Sequence, residues 1–155
     1  MATTINVSTL TVAITETLAL STDASGTTDD VTFSQTNNHI INTSILNASK
    51  RIVELESTAH TKVLIFHDSL NSAGTYKRAD VKYVRITNLD DSEILKVGLV
   101  GDSSGSWESI APNTSKMFTG TQIEIGATFT AFVNLTDISV KGVAGQQLEV
   151  FVATT

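Results

Sequence analysis

The chain has 155 residues, no cysteine, one proline, a formal net charge of −6 and a pI near 4.9. That length suits one domain whose core forms without staples, and the missing thiols exclude disulfides, a thiolate nucleophile and cysteine-based metal centres. An acidic chain without a basic stripe is a poor binder of nucleic acid, and no apolar run approaches the roughly 20 residues that span a bilayer, so neither nucleic acid nor membrane is an expected partner.

Apolar alternation starts at once. Ile5 and Val7 share one phase and Leu10, Val12 and Ile14 the other. The slip at Ser8-Thr9 marks a bulge, a bend or two separate strands, because a one-residue shift turns every side chain to the opposite face. Leu18 and Leu20 extend the pattern to a polar run from Ser21 to Asp30 that reads as a long loop. The chain thus divides into an N-terminal β arm with its loop, residues 1–30, and a main domain, residues 31–155, opening on the strand Val31-Thr32-Phe33. From Asn37 to Arg51 the spacing of Ile40, Ile41, Ile45 and Leu46 loosely fits a short helix. Repeated Asn, Ser, Thr and β-branched residues favour strand or irregular structure there instead.

Arg51 to Leu55 and Lys62 to Phe66 read as strands, the second apolar on both faces and hence central. Asn71 to Gly74 is a turn. Lys82 to Leu89 and Ile94 to Val100 follow as two strands around the hairpin-like Asn88-Leu89-Asp90-Asp91-Ser92. Gly101 to Ser106 is a loop, Trp107 to Ile110 a strand and Ala111 to Thr114 a turn that accommodates Pro112. Lys116 to Phe118, Gln122 to Ile125, Thr128 to Val133 and Leu148 to Val152 complete the series. Short strands with turn signals about every eight to twelve residues predict an all-β fold, an antiparallel β-sandwich of jelly-roll type with an extended N-terminal segment.

Chemistry-bearing motifs are few. Gly101-Asp102-Ser103-Ser104-Gly105 matches the nucleophile-elbow pattern, and Thr58-Ala59-His60 resembles the histidine segment of trypsin-like proteases. All three histidines, His39, His60 and His67, precede Ser103, whereas the elbow needs its histidine afterwards. The interval from His60 to Ser103 is also too short for a double barrel. The motif reads as a flexible loop and no enzyme activity is expected. His60 and His67 could approach each other if their strands pair, but no third ligand has suitable spacing. Asp29-Asp30 and Asp90-Asp91 with Glu93 could gather oxygen ligands for calcium, yet side-chain-capped turns explain them more simply. No cofactor is expected. Lys77-Arg78, with Lys82 and Arg85, reads as a solvated strand face, and Asn-x-Ser/Thr triplets reflect a composition about one quarter Ser and Thr. Trp107, the only tryptophan, reads as a core or interface anchor before a sugar platform.

One layout runs from Tyr83-Val84-Arg85-Ile86-Thr87-Asn88-Leu89 through Leu95-Lys96-Val97-Gly98-Leu99, Trp107-Glu108-Ser109-Ile110-Ala111-Pro112 and Met117-Phe118 to Leu148-Glu149-Val150-Phe151-Val152-Ala153. It resembles that of small virion proteins of tailed bacteriophages, the capsid decoration or cement proteins. The resemblance implies a jelly-roll or β-sandwich fold, a place on the capsid exterior, the major capsid protein as partner and a symmetric homo-oligomer, most simply a trimer. Expected interface residues are Ile5, Val7, Leu10 and Val12 in the arm, together with Trp107. The alternative is a carbohydrate- or receptor-binding sandwich of a phage tail or fibre, which exposed aromatics on a concave sheet would favour.

Overall fold

The computed structural model describes residues 8–20, 31–69, 74–101, 105–119 and 135–155. Among them regular structure is almost wholly extended: β1 (Ser8–Leu20), β2 (Val31–Ile45), β3 (Asn47–Glu54), β4 (Thr61–His67), β5 (Thr75–Lys77), a 3-10 turn (Arg78–Asp80), β6 (Val81–Asn88), β7 (Leu95–Gly101), β8 (Gly105–Ile110), β9 (Ser115–Thr119), β10 (Leu135–Lys141) and β11 (Gln147–Thr154). They form a β1-β2 ribbon, a four-stranded sheet in the order β3-β11-β6-β9, and a five-stranded sheet in the order β5-β4-β10-β7-β8. Every pairing is antiparallel except the short β4–β5 contact.

Alternation in the strands explains how the two larger sheets meet. In β6, Val84 and Ile86 point inward while Tyr83, Arg85 and Thr87 occupy the other parity; in β11, Leu148, Val150 and Val152 point inward. They join Leu64 and Phe66 of β4, Leu95, Val97 and Leu99 of β7, Ile138 and Val140 of β10 and Phe118 of β9 in one apolar core. Each such side chain contributes about 1.5–3 kcal/mol by leaving water, and β-branched Val and Ile suit the pleated surface. The fold is an all-β sandwich.

Polar contacts close the margins. At one margin Lys116 of β9 pairs with Glu108 of β8 across the gap between sheets. At the other, the Ser49 hydroxyl of β3 meets the Tyr76 hydroxyl of β5 at 2.6 Å. One end is latched by two fully buried amides. Asn88 Nδ2 donates to the carbonyls of Glu93 (2.7 Å) and Ile110 (3.3 Å), and Gln146 Nε2 donates to Asn88 Oδ1 (3.1 Å) and to the Glu93 carbonyl (3.2 Å). Gln146 Oε1 accepts from the Val143 amide at 3.1 Å. Gly142 lies so close that a Cβ there would stand 1.9 Å from Gln146 Oε1.

The segment from Asn37 to Arg51 is extended, as its Asn, Ser, Thr and β-branched residues favoured: it is the end of β2, a break at Leu46 and the start of β3, where its side chains gain cross-strand partners that a helix would not supply. Other expectations need correction. The strands around Leu89 to Ser92 do not form a hairpin. β6 pairs with β11 and β9, whereas β7 pairs with β10 and β8, so residues 89–94 cross from one sheet to the other and let Ile86 and Val97 face a common core. Strand β8 begins at Gly105, before Trp107. β10 was not expected at all. The slip near Ser8-Thr9 is a pair of register shifts about Leu10. The strands expected at Gln122 to Ile125 and Thr128 to Val133 lie outside the described residues, as do Ile5, Val7, Asp29, Asp30 and Ser103.

Candidate functional site

The outer face of the β3-β11-β6-β9 sheet is built by the parity that the core does not use. Its rows run Ala48–Ala153–Tyr83–Thr119, Lys50–Phe151–Arg85–Met117 and Ile52–Glu149–Thr87. Glu149, in β11, is the electrostatic centre: Lys50 Nζ lies 2.7 Å from one carboxylate oxygen and Arg85 donates to the other at 2.6 Å. The Lys50 ammonium, helped by Arg85 and opposed by burial, holds the Glu149 carboxyl below its ordinary pKa. The Arg85 guanidinium stands 5.7 Å from the centre of the Phe151 ring, and Tyr83 meets that ring edge to face at 6.0 Å. Burial raises the Tyr83 phenol, with the Arg85 charge partly opposing it.

The ribbon covers this face. Leu10 and Val12 of β1 and Ile41 of β2 pack with Ile45, Tyr83, Phe151 and Ala153 in a second apolar cluster, separate from the core. The cover is loose. An open cleft of about 490 Å³ runs between β1 and the sheet, bordered by Leu10, Val12, Ile14, Arg85 and Met117. A second, of about 440 Å³, reaches His39 and Lys116. Beyond the packed part, Thr15, Glu16 and Thr17 of β1 and Ser34, Gln35 and Thr36 of β2 are all exposed. There the strands are tied by hydroxyl pairs, Thr15–Thr36 at 2.9 Å and Thr17–Ser34 at 3.4 Å.

Leu10 and Val12 therefore lie half-buried on the sheet-facing side of the ribbon, while Trp107 lies on the outer face of the other sheet, with the core between them. Trp107 is no core anchor: it is 41% exposed, opposite Gly98 in the register of β7 and β8. Sequence reasoning passed over Glu149, Phe151 and Lys50, although Glu149 and Phe151 share one parity in Leu148-Glu149-Val150-Phe151-Val152, a visible sign of an outer face with work to do.

The chemical candidates are not gathered into one site. His60 precedes β4 and His67 ends it, so the two histidines stand at opposite ends of one strand, roughly 20 Å apart at ~3.3 Å per residue. They do not face each other across paired strands. The His67 ring nitrogen accepts from the Ser69 amide at 3.1 Å. Asp90 caps its own turn, accepting from the amides of Ser92 (2.9 Å) and Glu93 (2.8 Å), and these bonds lower its pKa. Among the described residues no group of three or more His, Asp or Glu side chains could hold a metal ion. No protein-family model matches the chain, and neither a curated protein nor a solved structure matches it.

Proposed function

We propose that this chain is a non-enzymatic structural protein of a virus particle, a decoration or cement protein that sits on the capsid exterior and stabilises it. The observation that carries the reading is the ribbon. Strands of 13 and 15 residues reach about 43–50 Å at ~3.3 Å per residue, against about 25 Å for the sandwich strands of seven or eight. Its far part, where Thr15, Glu16, Thr17, Ser34, Gln35 and Thr36 are exposed, is a lone pair of strands; such a pair is marginal in water and gains stability when another surface covers it. Such an arm suits a protein that must grip its neighbours in an assembly.

With β5 set aside as an appended edge, the chain passes from one sheet to the other at every step from β3 to β11 except β7 to β8, and the strand orders β3-β11-β6-β9 and β4-β10-β7-β8 support a jelly-roll wrapping. The resemblance of residues 83–153 to decoration proteins supplies the partner, the major capsid protein, and a homo-oligomer, most simply a trimer at a local three-fold position. Binding the assembled shell in preference to its free subunits would stabilise the particle by mass action, repeated over many copies. The test is co-sedimentation of purified chain with empty capsids and, separately, with unassembled capsid subunits. Saturable binding to shells alone is expected; binding to neither ends the proposal.

A further inference from the structure

On the far side of the core from the ribbon, the outer face of the five-stranded sheet carries an aromatic shelf with a cationic border. Trp107, Gly98 and Ser139 follow one another across β8, β7 and β10. The indole takes the space a side chain at position 98 would need: a Cβ on Gly98 would stand 2.7 Å from two of its ring carbons. His60, at the entry to β4, brings its ring centroid to 4.5 Å from that of Trp107. Even so, Trp107 remains 41% exposed.

The adjacent row is Ser109, Lys96 and Lys141. Like charges directly opposite one another across two strands are destabilising, and nothing described relieves this pair. Among the described residues, ion pairs engage Lys50, Lys62, Lys77, Lys116, Arg78 and Arg85 but not Arg51, Lys82, Lys96 or Lys141. A shallow depression of about 200 Å³, bordered by Lys96, Trp107, Glu108 and Ser109, lies between the two rows. Glu108 is already engaged by Lys116. In a chain of net charge −6, two free ammonium groups beside the only tryptophan are the local exception.

We propose that this shelf binds an acidic saccharide. One uronate ring lays its C–H face on the part of the Trp107 indole that Gly98 and His60 leave exposed, directs its carboxylate to Lys96 and Lys141, and offers a hydroxyl to Ser109. Two features choose a sugar over an acidic peptide. The depression is a flat plate of one-ring size, below the several hundred Å³ of drug-sized pockets. It also lacks the alternating side-chain pockets that peptide recognition along a strand uses. The site lies on the opposite side of the sandwich from the ribbon, so it does not depend on what the ribbon grips.

Because the chain has a single tryptophan, its tryptophan emission, excited selectively beyond the tyrosine absorption, reports this shelf alone. The intact protein is titrated with a galacturonic-acid tetramer, a neutral galactose tetramer and a tetraglutamate peptide, each at low and high salt. The acidic tetramer is expected to give a saturable emission change that weakens as salt screens the lysines, with the other two ligands silent. Lys96→Ala and Lys141→Ala are each expected to weaken binding about tenfold without lowering the urea midpoint, and Lys141→Arg to retain it. No saturable response to the acidic tetramer, or an equal response to the neutral one, overturns the proposal. So does unchanged affinity in both alanine variants. A response to the peptide alone also overturns it, and reassigns the shelf to an acidic segment of a partner protein.

Discussion

Asn88 shows how one side chain joins three connections. It is fully buried, and its amide ties residues 89–94, the end of β8 and, through Gln146, the turn before β11. Asn88→Ala leaves the Glu93 and Ile110 carbonyls and the Gln146 amide short of partners, and an unsatisfied buried group costs about 1–3 kcal/mol. The expected loss is about 2–3 kcal/mol, read as a lower urea midpoint with an unchanged slope. Glu149 makes a different prediction, one of pH. Its folded pKa lies below its unfolded value of about 4.3, so its contribution is complete above that unfolded value and is lost as pH falls through the folded one. Glu149→Gln should therefore lower stability at neutral pH yet narrow the gap to the native protein in acid. Equal acid sensitivity of the two proteins in urea melts would show the carboxylate to be uncoupled from folding.

At the scale of elements, the ribbon and the sandwich are energetically distinct. Among the described residues the main core takes its side chains from residues 55–152 and none from β1 or β2; the ribbon rests on the smaller cluster around Tyr83 and Phe151. Val12→Asp would set a carboxylate against that apolar cluster and should release the ribbon without melting the sandwich. Glutamyl endopeptidase then cuts after Glu16 faster than in the native chain, while the main thermal transition moves by less than the equivalent of about 1 kcal/mol. Loss of that transition would mean that the ribbon is part of the core. The contrast between elements also explains what could be read in the residues. β6 and β11 were legible because Val, Ile and Leu recur there with strict parity, and β4 because its apolar residues run unbroken from Val63 to Phe66. β10 was hidden because a register shift between Leu135 and Asp137 breaks its alternation, and because Asp137 and Ser139 occupy its outer face, paired with Lys62 and with each other. The crossing from β6 to β7 was misread since Asn-Leu-Asp-Asp-Ser serves a hairpin and an inter-sheet connection equally well; only the buried amide of Asn88 decides between them. Of the candidate surface, Leu10 and Val12 announced themselves by period, whereas their meeting with Phe151 joins the two ends of the chain, and no local pattern encodes it.

For the whole molecule the question is which sheet edges remain open. The β3 edge carries Lys50, Arg51 and Glu54, charges of the kind that discourage edge-to-edge pairing. The β8 and β9 edges are joined by Lys116 and Glu108. The ribbon has no such protection: across the 13 residues of β1 and 15 of β2, Glu16 is the only acidic residue and there is neither lysine, arginine nor proline. Backbone pairing between copies would therefore be directed to the ribbon, and a homo-oligomer formed there would rest on hydrogen-bonded strands and apolar burial, not on ion pairs. Such an assembly should persist when salt screens surface charge. Sedimentation at low and high salt is expected to give one species larger than the 16.5 kDa chain in both. A chain lacking residues 1–45 should sediment as a folded monomer, because every strand of the core is retained. A monodisperse 16.5 kDa species from the full chain at both salt concentrations would contradict the edge argument, and an oligomer that survives the truncation would move the interface to the sandwich itself.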